Sequence, residues 1–332
     1  MQYICFLGSK IISKFKYICR QINPKQLLIM KKLLLFVLLT TTIAASAQKV
    51  GDTIQAGNWL ISGQLSLNLS QSYFSNWAAG GSSNLTTIGK YTMSADYAKN
   101  KHSWNNWLDL ALGYSFFQNV SPMISEDKIE YITGYNYELK KPWYFSVVGK
   151  FATQFAKGYD YEVDSTVNFL SKFMAPAYFD IGPGIKYEPT DWFFVNFSPA
   201  TASWVYVGDQ RLANDGAFGL TPADTINGVV QNASKLRTMF GAKLMAVLQY
   251  EIVKNVHLGT KLELFSDYLD NPQNIIVNWQ VLLGFQVNGW LNIDLQTTLL
   301  YDDKIMITDK DGNIGPRVQF REILMLSVNF SF

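Results

Sequence analysis

Histidine and cysteine are scarce in this 332-residue chain, with two of each. Both cysteines, Cys5 and Cys19, precede Met30. The chain beyond Met30 therefore offers no disulfide, thiolate metal site or cysteine nucleophile. No second long apolar run follows the one at 33–39, which excludes membrane helices from the rest of the chain. Nor is there a basic field. Lys and Arg number 28 against 26 Asp and Glu, but seven of those bases lie before residue 48 and no acid does. Removing that stretch leaves 21 against 26, a net charge of about −5, so nucleic acid is not an expected partner.

That stretch reads as a leader. Met30-Lys31-Lys32 is basic, Leu33 to Leu39 is apolar, and Ala45-Ser46-Ala47 is a small-x-small site, the three parts of a secretory signal. The apolar run is well short of the roughly 20 residues a membrane-spanning helix needs. The expected organisation is a mis-called start extension over 1–29, a signal peptide over 30–47, and one domain over 48–332.

What the chain has in quantity is aromatic residues, at 15%, and period-two patterning. Leu324, Leu326, Val328, Phe330 and Phe332 alternate with Met325, Ser327, Asn329 and Ser331, and the sequence stops on the last aromatic. Such a strand is apolar on one face and small or polar on the other. Trp59 to Ser70 alternates in the same way. Further strands are expected near 85–98, 103–118, 128–140, 143–156, 177–188, 192–207, 235–252, 255–267, 273–288 and 290–308. About twelve strands result, within the known range for membrane barrels.

The connections sharpen the reading. Short ones fall at 100–102, 140–142, 189–191, 253–255 and Asn288-Gly289, the last a favoured two-residue hairpin signal. Longer ones fall at 74–84, 119–127, 157–176, 208–234, 268–272 and 308–317. Short and long alternate throughout, as in barrels with short periplasmic turns and longer outer loops. A secreted β-sandwich, the rival fold, does not require that alternation. The expected fold is all-β: a transmembrane, antiparallel, up-and-down β-barrel in the cell outer membrane, with both termini periplasmic.

With the apolar faces outward, charged residues fall inside: Lys90, Asp109, Glu130, Lys150, Asp180, Arg237, Lys243, Lys261, Glu263 and Arg321 among them. A charge facing lipid costs up to about 2–4 kcal/mol at the midplane, so this sorting is expected. The mixed signs predict pairing across the lumen, and a side-chain-packed interior is favoured over an open pathway.

Catalytic chemistry is thinly supported. His102 and His257 both map to the short-turn end, away from the outer leaflet where lipid-modifying barrels work. No catalytic residue, metal site or cofactor is expected. Asp309-Lys310-Asp311-Gly312-Asn313 resembles part of a calcium loop but lacks the distal glutamate, and reads as a hairpin tip. Gly182-Pro183-Gly184 reads as a bend, or as a place where a bulky neighbour packs.

The ligand-binding candidates are Trp77, in the loop after the first strand, and Arg237, Asp302, Asp303, Arg317 and Arg321 at the outer rim. The arginines there suit lipopolysaccharide phosphates or an acidic solute. The alternative is that they pair with Asp302 and Asp303 within the rim.

Asn76-Trp77-Ala78-Ala79-Gly80-Gly81, with Tyr301 to Ile305 and Gly315 to Glu322, resembles an uncharacterised outer-membrane family of Bacteroidota, a domain of unknown function, across essentially the whole mature chain. The resemblance implies an outer-membrane location and no established activity. The C-terminal strand likewise resembles those of bacterial outer-membrane proteins, which implies recognition by the barrel-assembly machinery. Expected partners are outer-membrane lipid, lipopolysaccharide, that machinery, and an envelope protein if the barrel works through its loops. The leading expectation is a small-solute channel or transport protein. The alternative is a non-conducting barrel that acts structurally or through interactions, and an outer-membrane lipid-modifying enzyme is a distant third.

Overall fold

The computed structural model describes residues 59–72, 84–117, 121–159, 169–226, 229–308 and 312–332. They belong to one unit, Gln48–Phe332. The leader expected over 1–47 and the Trp77 loop lie outside the described residues.

Twelve antiparallel strands form one closed barrel. They are β1 (Trp59–Ser72), β2 (Asn84–Lys99), β3 (His102–Phe117), β4 (Met123–Lys140), β5 (Trp143–Thr153) and β6 (Ala177–Thr190). β7 (Phe193–Tyr206), β8 (Leu236–Val253), β9 (Val256–Asp267), β10 (Ile275–Gln286), β11 (Leu291–Tyr301) and β12 (Gln319–Ser331) complete it. Each strand pairs with its neighbours in sequence, and β12 returns to pair with β1. The up-and-down reading thus holds strand for strand.

Closure runs from Gln64 opposite Ser331 to Leu69 opposite Leu326. Gly63 and Phe332 exchange two backbone hydrogen bonds of 2.9 Å. The Phe332 ring lies where a side chain on Gly63 would stand, and stacks against Tyr91 at 6.4 Å. The terminal aromatic therefore covers the seam that closes the cylinder. A backbone in hydrocarbon has no water to bond, so closure is what satisfies every strand edge.

Alternation sorts the faces as expected. Leu324, Leu326 and Phe330 are exposed outside, while Met325 and Ser327 of the same strand are buried inside. Exposed Trp59, Trp104, Trp143, Trp192, Tyr250 and Trp290 stand at the short-turn end, in the strand ends or the turns themselves. Trp59 lies 5.8 Å from Trp104, and Trp192 lies 5.1 Å from Tyr250. These amphipathic rings form the girdle that suits a membrane–water boundary.

Three details differ from the sequence reading. β4 begins at Met123, not near Lys128, because a bulge at Ser125 lets the strand continue upward with Glu126 turned into the lumen. β11 ends at Tyr301, and Met306–Thr308 instead pairs with Ile314–Pro316 in a separate hairpin. Asn288-Gly289 is not a two-residue hairpin turn. The connection spans 287–290, and the Asn288 side chain accepts hydrogen bonds from the N–H groups of Trp290 and Leu291, each at 2.9 Å. That side-chain turn removes the need for a left-handed glycine.

Gly182-Pro183-Gly184 lies in β6, where β7 carries an extra residue in its register. A Cβ on Gly184 would collide with the Phe197 carbonyl, and one on Gly182 with Thr201. The glycines admit the bulged neighbour, as the packing reading expects.

Candidate functional site

Four strands bring lysines into the lumen at one level, and four bring carboxylates. Lys150 on β5 meets both carboxylate oxygens of Glu263 on β9, at 3.0 and 2.8 Å. Lys261 on β9 reaches Glu130 on β4 at 2.7 Å. Lys243 on β8 joins Asp180 on β6 at 2.6 Å and Glu263 at 3.1 Å. Lys128 on β4 continues the chain through Asp109 on β3 at 2.5 Å. β4 and β9 are far apart around the cylinder, so these contacts cross its interior. Four ammonium groups and four carboxylates form a charge-matched belt. Such groups remain charged in a low-dielectric interior only when paired this closely.

Below the belt, toward the short turns, small polar side chains of β2, β3, β4, β5 and β7 cluster on the lumen side. Asn136 donates to Asn105 at 3.0 Å, and Asn105 to Asp96 at 2.8 Å. Ser146 donates to Asn196, and Asn196 to Ser198 at 3.1 Å. A void of about 20 Å³ remains beside Asn196, Ser198 and Thr201, room for about one water.

Above the belt the lumen opens into a cavity of about 740 Å³. Glu130, Lys150, Asp180, Lys243 and Glu263 form its floor. One wall carries Asn278, Gln280, Gln296, Thr298 and Gln319 from β10, β11 and β12. Volumes of roughly 300–1,000 Å³ are usual for small-ligand sites.

The connection over 207–235 folds inward over this cavity. Its short helix α1 (Gln210–Asn214) buries Leu212 and Ala213, and Leu220 follows them in. These residues pack on Val205, Met239 and Phe265, inward residues of β7, β8 and β9. Asp209 caps α1, accepting from the N–H groups of Arg211 and Leu212, and pairs with Lys172 at 2.6 Å. The Lys172 hydrogen bond, reinforced by those N–H groups, holds the Asp209 carboxyl below the usual aspartate range. The other long connections are tied in similar ways. Lys304 meets Asp270 at 2.6 Å, and this hydrogen bond raises the Lys304 ammonium above its ordinary range. Asn274 donates to Asp303 at 2.7 Å.

The rim candidates divide. Arg237 and Asp302 are brought together at 3.1 Å, as the pairing alternative expects. Arg321 does not join them. It crosses to Glu126 on β4 at 2.7 Å. Asp303 bonds Asn274, and exposed Arg317 donates to the Asn313 carbonyl at 3.4 Å. Trp77 lies outside the described residues, as does the Asp309–Asp311 part of the calcium-like motif. Gly312, next to it, takes a positive φ of 84° within the connection between the Met306–Thr308 and Ile314–Pro316 strands, the conformation a tight turn asks of glycine. His102 accepts or donates at 2.6 Å to Tyr135 at the short-turn end.

Sequence reasoning missed Glu126, which it left in a loop, and the packing of the 207–235 connection. Leu212-Ala213, Phe218 and Leu220 were the available signal for the latter, as a cluster of apolar residues within one long connection.

A family model described as "Protein of unknown function (DUF3078)" matches residues 69–159. The match takes in Asn76 to Gly81 but does not extend to the Tyr301–Glu322 stretch, so the family likeness is narrower than the whole-chain resemblance expected. No curated protein matches this sequence. Among solved structures, the chain is similar to the COG4313 outer membrane channel from Pseudomonas putida F1. Identity is 11% and the TM-score 0.37, covering 85% of this chain and 100% of that one. It is also similar to the translocator domain of the autotransporter NalP from Neisseria meningitidis, at 7% identity and TM-score 0.32, covering 85% and 90%. The Pseudomonas putida toluene transporter TodX gives 9% identity and TM-score 0.30, covering 83% and 89%. The barrel assignment rests on this chain's own strand pairing.

Proposed function

We propose that the protein is an outer-membrane barrel that admits a small solute from the long-loop side, with the charge belt as a closed constriction. The observation that carries this reading is the cavity of about 740 Å³ that ends on the belt. A barrel built only as a strut has no reason to keep such a volume open above a sealed floor. The apolar outer face and the aromatic girdle support a membrane setting. The long connections are read as extracellular and the short turns as periplasmic.

A second reading has its own observation. Where the belt meets the polar side chains of β7, the space left is a void of about 20 Å³, which suits a non-conducting barrel that acts through its loops. Single-channel recording in planar bilayers separates the two. The native barrel is expected to be closed or rarely open. Lys150→Ala/Glu263→Ala, which removes two side chains from the belt while keeping it charge-matched, is expected to give frequent openings. If neither form conducts at any voltage, the channel reading fails and the non-conducting one stands.

A further inference from the structure

Inside the cavity the charges and the neutral polar groups behave differently. Every belt lysine has a carboxylate within 3.0 Å. Glu126 is held by Arg321 at 2.7 Å, and Asp302 by Arg237 at 3.1 Å. Asp127 accepts from the N–H groups of Phe155 and Ala156, at 2.7 and 2.9 Å. Most of these charged groups have thus spent their strongest bonds on one another; among the described residues Asp127 is held by backbone N–H groups instead, and Lys90 by the neutral Gln296 side chain.

The neutral wall is the reverse. Thr298, Gln319 and Tyr178 line the cavity, and their side chains have no hydrogen-bond partner among the described residues. Asn278 accepts from Gln280 at 3.3 Å, which leaves the Asn278 amide N–H₂ and the Gln280 carbonyl oxygen open. Gln296 accepts from Lys90 at 2.6 Å, leaving its N–H₂ open. These groups sit at alternate positions on β10 and β11, so they face one way by construction. Apolar Phe218, Phe265 and Met239 line the cavity nearer the lid.

We propose that this cavity binds a neutral, polyhydroxylated solute of saccharide type. Amides and hydroxyls, each able to donate and accept, match a ligand whose hydroxyls do the same. The C–H faces of a sugar ring suit the apolar side chains beside them. A carboxylate or ammonium ligand would shed its hydration and find most countercharges already paired. The proposal rests on the cavity being a solute site, and names the class of solute.

Isothermal titration calorimetry of the folded mature barrel in detergent tests it, with maltose, lactose, sucrose and trehalose as probes. Lactobionate, the carboxylate made by oxidising lactose, is the charged control. At least one neutral disaccharide is expected to bind, and lactobionate more weakly than all that do. Gln319→Leu and Thr298→Val are each expected to weaken binding by roughly tenfold, the loss that one or two hydrogen bonds account for. Retention of the folded, heat-modifiable band on a gel shows that each variant still forms the barrel. Lactobionate binding as tightly as the neutral sugars would overturn the proposal, as would no binding by any of the four or full affinity in both variants. Saccharide binding in a barrel that never conducts removes the channel reading and keeps the site. Conductance without saccharide binding keeps the channel and removes this ligand class.

Discussion

Glu263 shows what one residue does in this lumen. Its carboxylate faces Lys150 at 2.8 Å, Lys243 at 3.1 Å and Lys261 at 3.4 Å. It is buried, so its partners lack the water that would otherwise compensate its loss. Glu263→Met is expected to destabilise the barrel by about 3–5 kcal/mol, because three ammonium groups share the deficit. Lys150→Met/Glu263→Met restores equal numbers of each sign and is expected to be milder than Glu263→Met alone. Urea unfolding of the barrel in lipid vesicles reads both. A double variant as unstable as the sum of the singles would mean the two residues act independently. The exposed pair Arg211–Asp215 at 3.4 Å makes the contrast. Solvent screens it, and Arg211→Ala is expected to cost under about 1 kcal/mol as far as the pair is concerned.

At the scale of the element, the 207–235 connection is a domain-like lid stitched from short pieces. A five-residue helix cannot persist alone, since helix nucleation is costly. It is held by the Asp209 cap, the Lys172 pair and the burial of Leu212 and Ala213. The folded Asp209 carboxyl titrates below its unfolded value. Its contribution is therefore fully present above the unfolded aspartate value of about 3.9 and fades as pH falls through the lower folded value. Amide exchange over 209–216 is expected to stay constant from neutral pH down to about 4, then to quicken beyond the intrinsic pH trend. Asp209→Ala, which removes cap and ion pair, is expected to show that quick exchange at neutral pH, at a cost of about 1 kcal/mol. Unchanged protection in this variant would show that apolar packing alone holds the lid. The same element marks where sequence reading stops. The barrel strands were legible because period-two alternation is local and repeated twelve times. The lid was not, because its helix exists by tertiary contact with residues on three strands. Inward-facing charges were legible from parity. Their partners were not, since Lys150 and Glu263 lie 113 residues apart and only closure brings them together. At Ser125 a single bulged residue moved Glu126 from an assumed loop into the lumen.

The whole molecule is polar along its axis as well as across it. Five short turns stand at one end with Trp59 and Phe332, and six longer connections stand at the other. Lys99, Lys101, Lys140 and Lys141 gather at the short-turn end beside the tryptophans, while the lid, the cavity mouth and the Arg237–Asp302 pair gather at the long-loop end. Solute entry from outside requires the cavity mouth to face the medium. An epitope tag inserted at 227–228, between two short strands of the lid connection, is therefore expected to bind antibody on intact cells. A tag at Lys141-Pro142, in a tight turn of the opposite end, is expected to bind only after the outer membrane is permeabilised. Heat-modifiable migration of each tagged protein guards against an unfolded barrel giving a false signal. If the turn tag labels on intact cells and the lid tag does not, the barrel stands the other way up. The cavity would then open to the periplasm, and a solute would meet the charge belt before it met the neutral wall.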